Sequence, residues 1–193
     1  MAMDGVRVRS SDLHPTSIGP RKPDPSTTAE RLIAMNVTDK YELREYGPGE
    51  ALIAADIRGL TQEEDRLHLQ ELIDSDPEWK GHYHHLALAR DGKVIGDIQL
   101  RRCHYSMPPG VVHVGVEILE SERGTGAGTR ALELLWEWAQ ARNFHRIEGS
   151  TESSNLAMQR VFSKVGWNFE GILKSYFIED GVAKDYLSYS KTL

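Results

Sequence analysis

A glycine-rich turn is the segment of this sequence with the clearest chemistry. Residues 123–129 read Arg-Gly-Thr-Gly-Ala-Gly-Thr, after the alternating apolar residues of 111–119 and before a helical pattern. Glycines let the backbone approach an anion closely. The free N–H groups at a helix start also carry the positive end of the helix dipole. The turn therefore predicts a phosphate-binding site that needs no lysine.

Other interpretations of the turn have to be weighed beside this one. A P-loop needs a lysine after its last glycine, but Thr129 follows Gly128. A dinucleotide fingerprint needs glycines at the first, third and sixth positions. Gly124 and Gly126 fit, Thr129 does not, and Glu148 about 20 residues downstream keeps this interpretation open. A helix that simply follows a flexible turn and binds nothing is the plain alternative.

The elements that must position the turn alternate between strands and helices. Strands are expected at 41–46, 86–89, 94–100, 111–119, 144–151, 167–173 and 185–192, and helices at 50–73 with a break near Gly59, 129–143 and 155–165. Ser153 and Ser154 are the expected N-caps of the last helix, which Gly166 closes. Turns are expected at Asp91-Gly92 and Asp180-Gly181. This order predicts an α/β (α+β) layered domain with a mixed sheet.

Composition excludes several classes of protein. The sequence has 23 Lys and Arg against 29 Asp and Glu, so the formal charge of −6 lacks the basic footprint of a nucleic-acid binder. No apolar stretch of ~20 residues predicts a membrane span. Cys103 is the only cysteine, which excludes an internal disulfide and fits a reducing cytoplasm. The histidines within 82–85 lack the further ligands of a metal site, so no metal is expected.

The first part of the chain has a different character. Residues 1–30 are expected to form an N-terminal tail or arm, and residues 31–193 the folded domain. Prolines at 15, 20, 23 and 25 remove backbone donors and disfavour helix before them. The segment is therefore predicted to be extended or disordered, or to pack on a partner as an arm.

Several segments together resemble one superfamily. The run Arg-Gly-Thr-Gly-Ala-Gly at 123–128 resembles the coenzyme-A pyrophosphate loop of the GNAT acetyltransferases. Residues 155–167 resemble the Asn-x-Ala-x-x-x-hydrophobic-x-x-Lys-x-Gly-aromatic segment of its RimJ/RimL-type branch, and Glu-Gly-Ile-Leu-Lys at 170–174 is similar to the segment that follows there. The resemblance covers about residues 40–193. It implies a GNAT-like central mixed sheet with helices on both faces and splayed parallel strands that bind acetyl-CoA.

The resemblance also implies where acetyl-CoA is held. Residues 111–119 and 144–151 would be the two parallel strands that splay apart, and their unpaired backbone would bind the pantetheine amides. The implied contacts are the backbone of Val116 and Ile118, the N–H groups from Arg123 through Thr129, that is Arg123, Gly124, Thr125, Gly126, Ala127, Gly128 and Thr129, and the side chain of Asn155.

The implied reaction is attack of a neutral amine on the thioester, which needs a base, a donor to the carbonyl oxygen and an acid for the thiolate. A strand N–H near Val116 is the expected carbonyl donor. Glu117 is the predicted base, an interpretation that needs a partly buried carboxylate. Its alternative is a structural salt bridge or a solvated side chain. Ser150 is expected near the splay, where it would relay protons or bind the amine.

The acid for the thiolate is the least conventional part of the prediction. Many relatives carry a tyrosine where this chain has Phe162, and some have a serine where it has Met158. Neither replacement can donate a proton, so Tyr176, expected in a loop, is the predicted substitute, with water as the alternative.

The resemblance implies an N-acetyltransferase that works in a ternary complex. The expected acceptor is a protein or peptide N-terminal amine, with a small amine such as a polyamine, an amino acid or an amine-bearing antibiotic as the second class. A non-catalytic module that binds or senses acyl-CoA is the alternative, and a nicotinamide oxidoreductase is a distant third. A cytoplasmic location is expected, a homodimer is an open possibility, and neither nucleic acid nor membrane is an expected partner.

Overall fold

The computed structural model describes residues 41–75, 83–102 and 107–193, with the side chain of Ser75 left out. The predictions for the tail, for the start of the domain at residue 31, and for His82 and Cys103 lie outside these residues. The described elements, in chain order, are β1 (Tyr41–Arg44), α1 (Ala51–Ile57), α2 (Glu63–Ser75), β2 (Tyr83–Arg90), β3 (Lys93–Arg101), β4 (Val111–Ile118), a 3₁₀ turn (Glu120–Glu122), α3 (Ala127–Ala141), β5 (Arg146–Glu152), α4 (Leu156–Lys164), β6 (Asn168–Glu179) and β7 (Val182–Thr192).

One seven-stranded sheet organises the described residues, in the order β1-β2-β3-β4-β5-β7-β6. Strand β4 pairs with β5 in parallel, and the other neighbours pair antiparallel. The expected mixed sheet is therefore confirmed. The long connection through α3 is what a parallel pair requires, since two parallel strands cannot be joined by a tight turn.

The two faces of the sheet are covered by different helices. Helix α3 packs its apolar side, including Leu132 and Leu135, against Val112, Val114 and Ile147 in the main core. On the opposite face α1 buries Ile57 against β2 and β3 in a smaller cluster. Because side chains alternate along a strand, the odd-numbered residues of β2, of β4 and of β3 from Asp97 onward point to the α1 side, whereas Val94, before the irregularity in β3, does so as an even-numbered residue. Helices on both faces, as expected, are confirmed.

Several boundaries differ from the predicted ones. Helix α3 begins at Ala127, two residues before the expected Thr129, because Gly126 takes a left-handed conformation (φ 95°) as its N-cap. Asn155, rather than Ser153 or Ser154, caps α4, and its Oδ1 accepts a hydrogen bond from the Met158 N–H at 3.0 Å. A side-chain oxygen at this position satisfies one of the helix's unpaired first-turn donors.

The last two strands are longer than predicted. Strand β6 continues to Glu179 through an irregularity between Leu173 and Phe177, and the Asp180-Gly181 turn joins it to β7 as expected. Tyr176 was expected in a loop, and this was wrong, because hairpin pairing with β7 continues past the irregularity. Among the described residues, none of the helices is both long and apolar enough to cross a membrane.

Candidate active site

A gap opens between β4 and β5 in the middle of the sheet. The two strands pair only from Val111 with Arg146 to Val114 with Gly149, yet β4 runs on to Ile118 and β5 to Glu152. Both strands are described over their whole length, and their pairing with each other ends at Val114 and Gly149. Each strand stays bonded on its outer side, to β3 and to β7. The inner edges of 115–118 and 150–152 therefore face each other across what we call the gap.

The hydrogen-bond pattern shows which groups of β4 line the gap. The N–H of Leu119 donates to the carbonyl of Ile95 on β3 at 2.9 Å. Backbone groups alternate sides along an antiparallel strand, so Glu117 also points its N–H and C=O toward β3. Those of Val116 and Ile118 point the other way, into the gap. Both predicted residues therefore lie on its edge.

The same argument applies to β5 on the other side of the gap. The N–H of Ser153 donates to the carbonyl of Asp185, which follows on from the register with β7, at 2.8 Å. By alternation the backbone groups of Ser150 and Glu152 face the gap. Unpaired donors and acceptors on both edges suit a ligand that carries amides and lies between them as an added strand.

The glycine turn, residues 123–128, lies at the open end of β4. Gly124 and Gly126 have φ of 75° and 95°, a region that side chains disfavour, although a Cβ at either would meet no atom within 4 Å. No side chain caps α3 at Gly126. The N–H groups of Ala127, Gly128 and Thr129 lie in the first turn of this 15-residue helix and point out of its N-terminal end. The N-cap residue offers them no side-chain acceptor. This arrangement fits an anion such as a pyrophosphate.

Arg123 behaves differently from its prediction. Its N–H, expected to bind phosphate, donates instead to the carbonyl of Glu120 at 3.2 Å. Its side-chain Nε donates to the carbonyl of Ile118 at 3.1 Å. Arg123 therefore anchors the turn to the end of β4 and occupies one of the acceptors on the edge of the gap. The hydroxyl of Thr125 makes a further anchor, to the carbonyl of Glu122 at 2.7 Å.

Asn155 lies beyond the end of β5 and is exposed. Its Oδ1 is used by the cap of α4, which leaves the Nδ2 group as the donor for a ligand. The predicted contact with the pantetheine arm stays a prediction.

Glu117 is exposed on the α1 side of β4. No salt bridge reaches it from the described part of the chain. The partial burial that its role as base needs is absent, so that expectation was wrong, and the solvated alternative describes the side chain. The reason is local, because no helix of the described chain packs over this end of β4.

The other two predicted catalytic residues have different surroundings. Ser150 is half-buried on β5, and its backbone faces the gap. Tyr176 is 55 % exposed, and its ring lies 5.3 Å from that of Tyr186 on β7. Strand β6 lies beyond β7 at the edge of the sheet, so the structure does not bring Tyr176 against β4.

Phe162 is a core residue. It is 2 % exposed, and its ring stacks on Tyr189 with centroids 4.6 Å apart. A Cβ placed on Gly149, the last paired residue of β5, would lie 3.3 Å from the Phe162 Cζ. The ring therefore reaches the closed end of the gap but offers no proton there.

Asp97 was missed by the sequence analysis. Its side chain on β3 is completely buried, on the α1 side of the sheet. Tyr46 Oη donates to it at 2.8 Å, Arg58 Nε donates at 2.5 Å, and His85 Nδ1 lies at 3.1 Å. Desolvation would raise the pKa of this carboxyl, but the hydrogen bond from His85 and the charge of Arg58 outweigh it, and the pKa lies below its usual value. Asp97 is therefore an ionised, buried carboxylate.

A second polar pair lies on the same face beside the closed end of the gap. Arg101 Nη2 donates to His113 Nδ1 at 2.8 Å. Desolvation, and then the charge of Arg101, lower the pKa of His113 to about 4, against the opposing effect of Glu148. His113 is thus neutral at pH 7. Glu148, which kept the dinucleotide interpretation open, pairs with Arg146 at 2.6 Å and serves a structural role.

A cleft of about 370 Å³ opens on the α1 side of the sheet. It lies between the segment that leaves β1 and the end of α2, and its lining is Glu45, Tyr46, Gly47, Pro48, Leu72, Ile73, Asp74 and His85. His85 and Tyr46 form its polar floor, and both bind Asp97 behind it. Within the described residues, no group of three or more His, Cys, Asp and Glu side chains could hold a metal ion.

Comparison with known proteins places these features in context. A sequence model described as the acetyltransferase (GNAT) family matches residues 51–167. No curated protein matches the sequence. Among solved structures, ribosomal-protein-S5-alanine acetyltransferase from Vibrio fischeri is 21 % identical, with TM-score 0.66 over 80 % of this chain and 93 % of the other.

Two further structures share this fold. RimJ from Mycobacterium smegmatis in complex with CoA-disulfide is 22 % identical, with TM-score 0.65 over 79 % of this chain and 81 % of the other. A spermidine N-acetyltransferase chimera of Vibrio cholerae SpeG and hSSAT is 15 % identical, with TM-score 0.68 over 80 % of this chain and 96 % of the other. At these identities the likeness concerns the fold alone.

Proposed function

The chain belongs to the GNAT family of acetyltransferases, and on that premise we propose that it transfers an acetyl group to a primary amine by direct attack in a ternary complex. The chain is an acyltransferase, and acetyl-CoA is the acetyl donor of its family. The finer statements below, on acceptor, mechanism and site residues, are proposals.

The gap beside an uncapped helix start is the observation that carries the proposal. The first-turn N–H groups of α3, from Ala127 to Thr129, suit the pyrophosphate. The edge groups of Val116 and Ile118 suit the pantetheine amides, as an added strand. One ligand with a phosphate end and an amide arm matches both features, since the turn follows directly from the strand that lines the gap.

The chain's own groups would perform three tasks in the reaction. Acetyl-CoA supplies an activated thioester. The Val116 N–H, directed into the gap, is placed to donate to the carbonyl oxygen as negative charge develops there. We assign Ser150, on the edge of the gap, and the Asn155 Nδ2 group, beyond the end of β5, as further donors to the ligand. Glu117, solvated on the α1 side, is suited to attracting a cationic acceptor rather than to acting as a desolvated base. Since Phe162 and Met158 cannot donate protons, we assign protonation of the thiolate to the amine's own second proton or to water.

A protein or peptide N-terminal amine is the acceptor we propose first. The RimJ/RimL-type segment at 155–167 supports it, as does the fold shared with the Vibrio fischeri protein acetyltransferase. A small amine is the second class, because a spermidine N-acetyltransferase chimera has the same fold. We also propose a cytoplasmic location, which a single cysteine fits.

A non-catalytic acyl-CoA-binding module has one observation in its favour. Glu117 is exposed, and Phe162 lies in the apolar core where relatives carry a tyrosine, so neither position offers a poised proton acceptor or donor. Turnover separates this possibility from catalysis.

The test measures CoA release from acetyl-CoA with a panel of free amines. The panel contains an unblocked octapeptide, spermidine and glycinamide, and each has an N-acetylated counterpart as its matched control. We expect CoA release with at least one free amine and none with its blocked counterpart. Binding of acetyl-CoA without release for any amine would favour the non-catalytic module. Equal release with free and blocked amines would indicate thioester hydrolysis and contradict amine transfer.

A further inference from the structure

We propose that His85 accepts the proton of the acceptor amine, and that buried Asp97 is its positioning residue. The inference rests on the proposed function, since it concerns the amine half of the same reaction. It assigns the base to a side chain on β2, two strands away from the predicted Glu117.

The partners of His85 leave one ring nitrogen able to accept a proton. Asp97 is ionised and has no proton to donate, so His85 Nδ1 carries the proton of their 3.1 Å hydrogen bond. In the neutral ring that has its proton on Nδ1, Nε2 is the nitrogen that can accept a proton. Tyr46 and Arg58 hold the other side of the carboxylate, at 2.8 and 2.5 Å. The carboxylate therefore orients the ring and stabilises the imidazolium that forms when Nε2 takes a proton.

His85 is accessible from one direction. Its side chain is only 2 % exposed, yet it lines the floor of the cleft. Glu45 and Asp74 lie on the cleft walls, and their charge favours entry of an ammonium group over an anion or a neutral molecule. An amine entering the cleft thus arrives in its charged form, which must lose a proton before it can attack.

A row of residues connects His85 to the gap. The register places His85 opposite Gln99 on β3, and Gln99 opposite Gly115, the first residue of β4 beyond the parallel pairing. Gln99 Nε2 lies 3.4 Å from His85 Nε2. A Cβ placed on Gly115 would lie 3.9 Å from Gln99 Oε1. The Gln99 amide therefore spans the distance between the imidazole and the closed end of the gap, where Gly115 presents no side chain.

The proton balance follows from this arrangement. The ammonium gives one proton to His85 Nε2 through water that takes the place of the Gln99 amide at that nitrogen. The nitrogen lone pair then forms the N–C bond, and the C–S bond breaks with its electron pair on sulfur. The second amine proton passes to the thiolate, and the imidazolium later releases its proton to solvent through the cleft.

His113 lies nearer to the gap but is not suited to this role. Burial, and then the charge of Arg101 at 2.8 Å from its Nδ1, lower its pKa to about 4. A base with such a pKa holds an amine proton too weakly at neutral pH.

The test compares two adjacent histidines on opposite faces of β2. His84 is as buried as His85, but its ring lies 5.9 Å from Trp138 on the α3 side. Its Nε2 lies 3.2 Å from Glu45 Oε1, and a glutamine at 84 keeps a side-chain donor for that carboxylate. We expect His85→Gln to lower kcat about 100-fold at pH 7 with the best amine of the panel, a typical size for a lost general base. His84→Gln should stay within about threefold of wild type, and the thermal shift of both variants with acetyl-CoA should match that of wild type. Equal kcat values for the two variants would overturn the proposal.

Further readouts exclude a merely structural role. Imidazole should restore activity to His85→Ala but not to Asp97→Ala. The rise of kcat with pH should disappear in His85→Gln. The charged and titratable groups that face His85 are Glu45, Tyr46, Arg58, Asp74 and Asp97. The control for the pH profile is His145→Gln, which alters an exposed histidine outside the cleft lining and should keep the wild-type profile. An unchanged pH profile in His85→Gln, or absent imidazole rescue, would count against the proposal.

Two further results would also decide the proposal: a His85→Gln variant that does not fold, and a wild-type protein without turnover. If His85→Gln does not fold, ¹⁵N spectra of wild-type histidines decide, since the proposal needs the Nδ1–H tautomer at His85 and the Nε2–H tautomer would overturn it. If wild type binds acetyl-CoA but releases no CoA with any amine, the proposed function fails first and the inference fails with it. Amine-dependent turnover that survives His85→Gln would overturn only the inference.

Discussion

The gap and the cleft lie on the same sheet, yet they are built from different groups. The gap is bordered by backbone N–H and C=O groups of Val116, Ile118 and Ser150 and by an uncapped helix start. The cleft floor is made of side chains that converge on one buried carboxylate, Asp97. The sheet therefore joins a backbone-built binding site and a side-chain-built one.

The difference has a physical consequence. Backbone donors in a fixed geometry recognise any ligand with suitably spaced amides and phosphates, and they tolerate changes in side chains. A buried charge depends on every partner, because removing one leaves the rest desolvated and unpaired. The cleft is thus expected to be sensitive to substitution, and the gap to respond mainly to charge and to backbone conformation.

The largest expected effect is on the cleft. Asp97→Ala removes the acceptor of buried His85 and of Arg58, whose side chain is 20 % exposed, and should lower the free energy of unfolding by about 3 kcal/mol, measured by urea denaturation. The matched control is Glu117→Ala, because Glu117 lies directly opposite Asp97 in the register but is exposed. It should change stability by less than about 0.5 kcal/mol. Similar losses in both variants would show that the buried network does not stabilise this face.

A smaller effect is expected at the helix start. Thr129→Asp places a carboxylate in the first turn of α3, where a pyrophosphate would bind. We expect at least a tenfold weaker affinity for acetyl-CoA by calorimetry, about 1.4 kcal/mol, while the apoprotein gains about 0.3–1 kcal/mol from the helix dipole. Thr129→Asn, of the same shape without the charge, should keep most of the affinity. Equal losses in the two variants would argue against an anion at this site.

A further effect concerns pH and the pair of Arg101 and His113 beside the gap. The pKa of His113 is lowered from 6.5 to about 4 in the folded protein, so the unfolded chain binds the proton first. The free energy of unfolding should therefore fall as pH decreases from 6.5 to about 4. His113→Gln removes this part of the slope, while His145→Gln, which alters an exposed histidine, should leave it. A slope that persists in His113→Gln would contradict the assignment.

The backbone-built half could be predicted from the sequence. The glycine turn and the helix pattern after it are local signals, and chain order places a parallel strand pair around the helix. These signals led to the 124–129 segment, which leads into α3, and the family resemblance implied Val116 and Ile118, which border the gap. The sequence did not predict that the Arg123 N–H donates to the carbonyl of Glu120, because the 3₁₀ turn that contains Glu120 has no distinct sequence signal.

The side-chain-built half could not be predicted, and a single bulge explains much of this. The Asp91-Gly92 turn pairs Arg90 with Lys93, and counting back from there would place Asp97 opposite Leu86, on the apolar face. The irregularity between Leu88 and Ala89 shifts the register by one residue and pairs Asp97 with Ala87. A one-residue shift exchanges the faces of a strand. The exposure of Glu117 could not be predicted from the sequence either, since it depends on which parts of the α1 side of the sheet the helices leave uncovered.

The most direct test of the account is whether the gap and the glycine turn bind acetyl-CoA. Thermal unfolding would be followed with acetyl-CoA, CoA, NADH and ATP at matched concentrations. A ligand at 100 times its Kd should add about 2.7 kcal/mol to the free energy of unfolding. We expect acetyl-CoA and CoA to raise Tm, with no comparable rise for NADH or ATP. No shift with either coenzyme form, or a shift with NADH alone, would contradict the assignment of the turn and of the gap beside it.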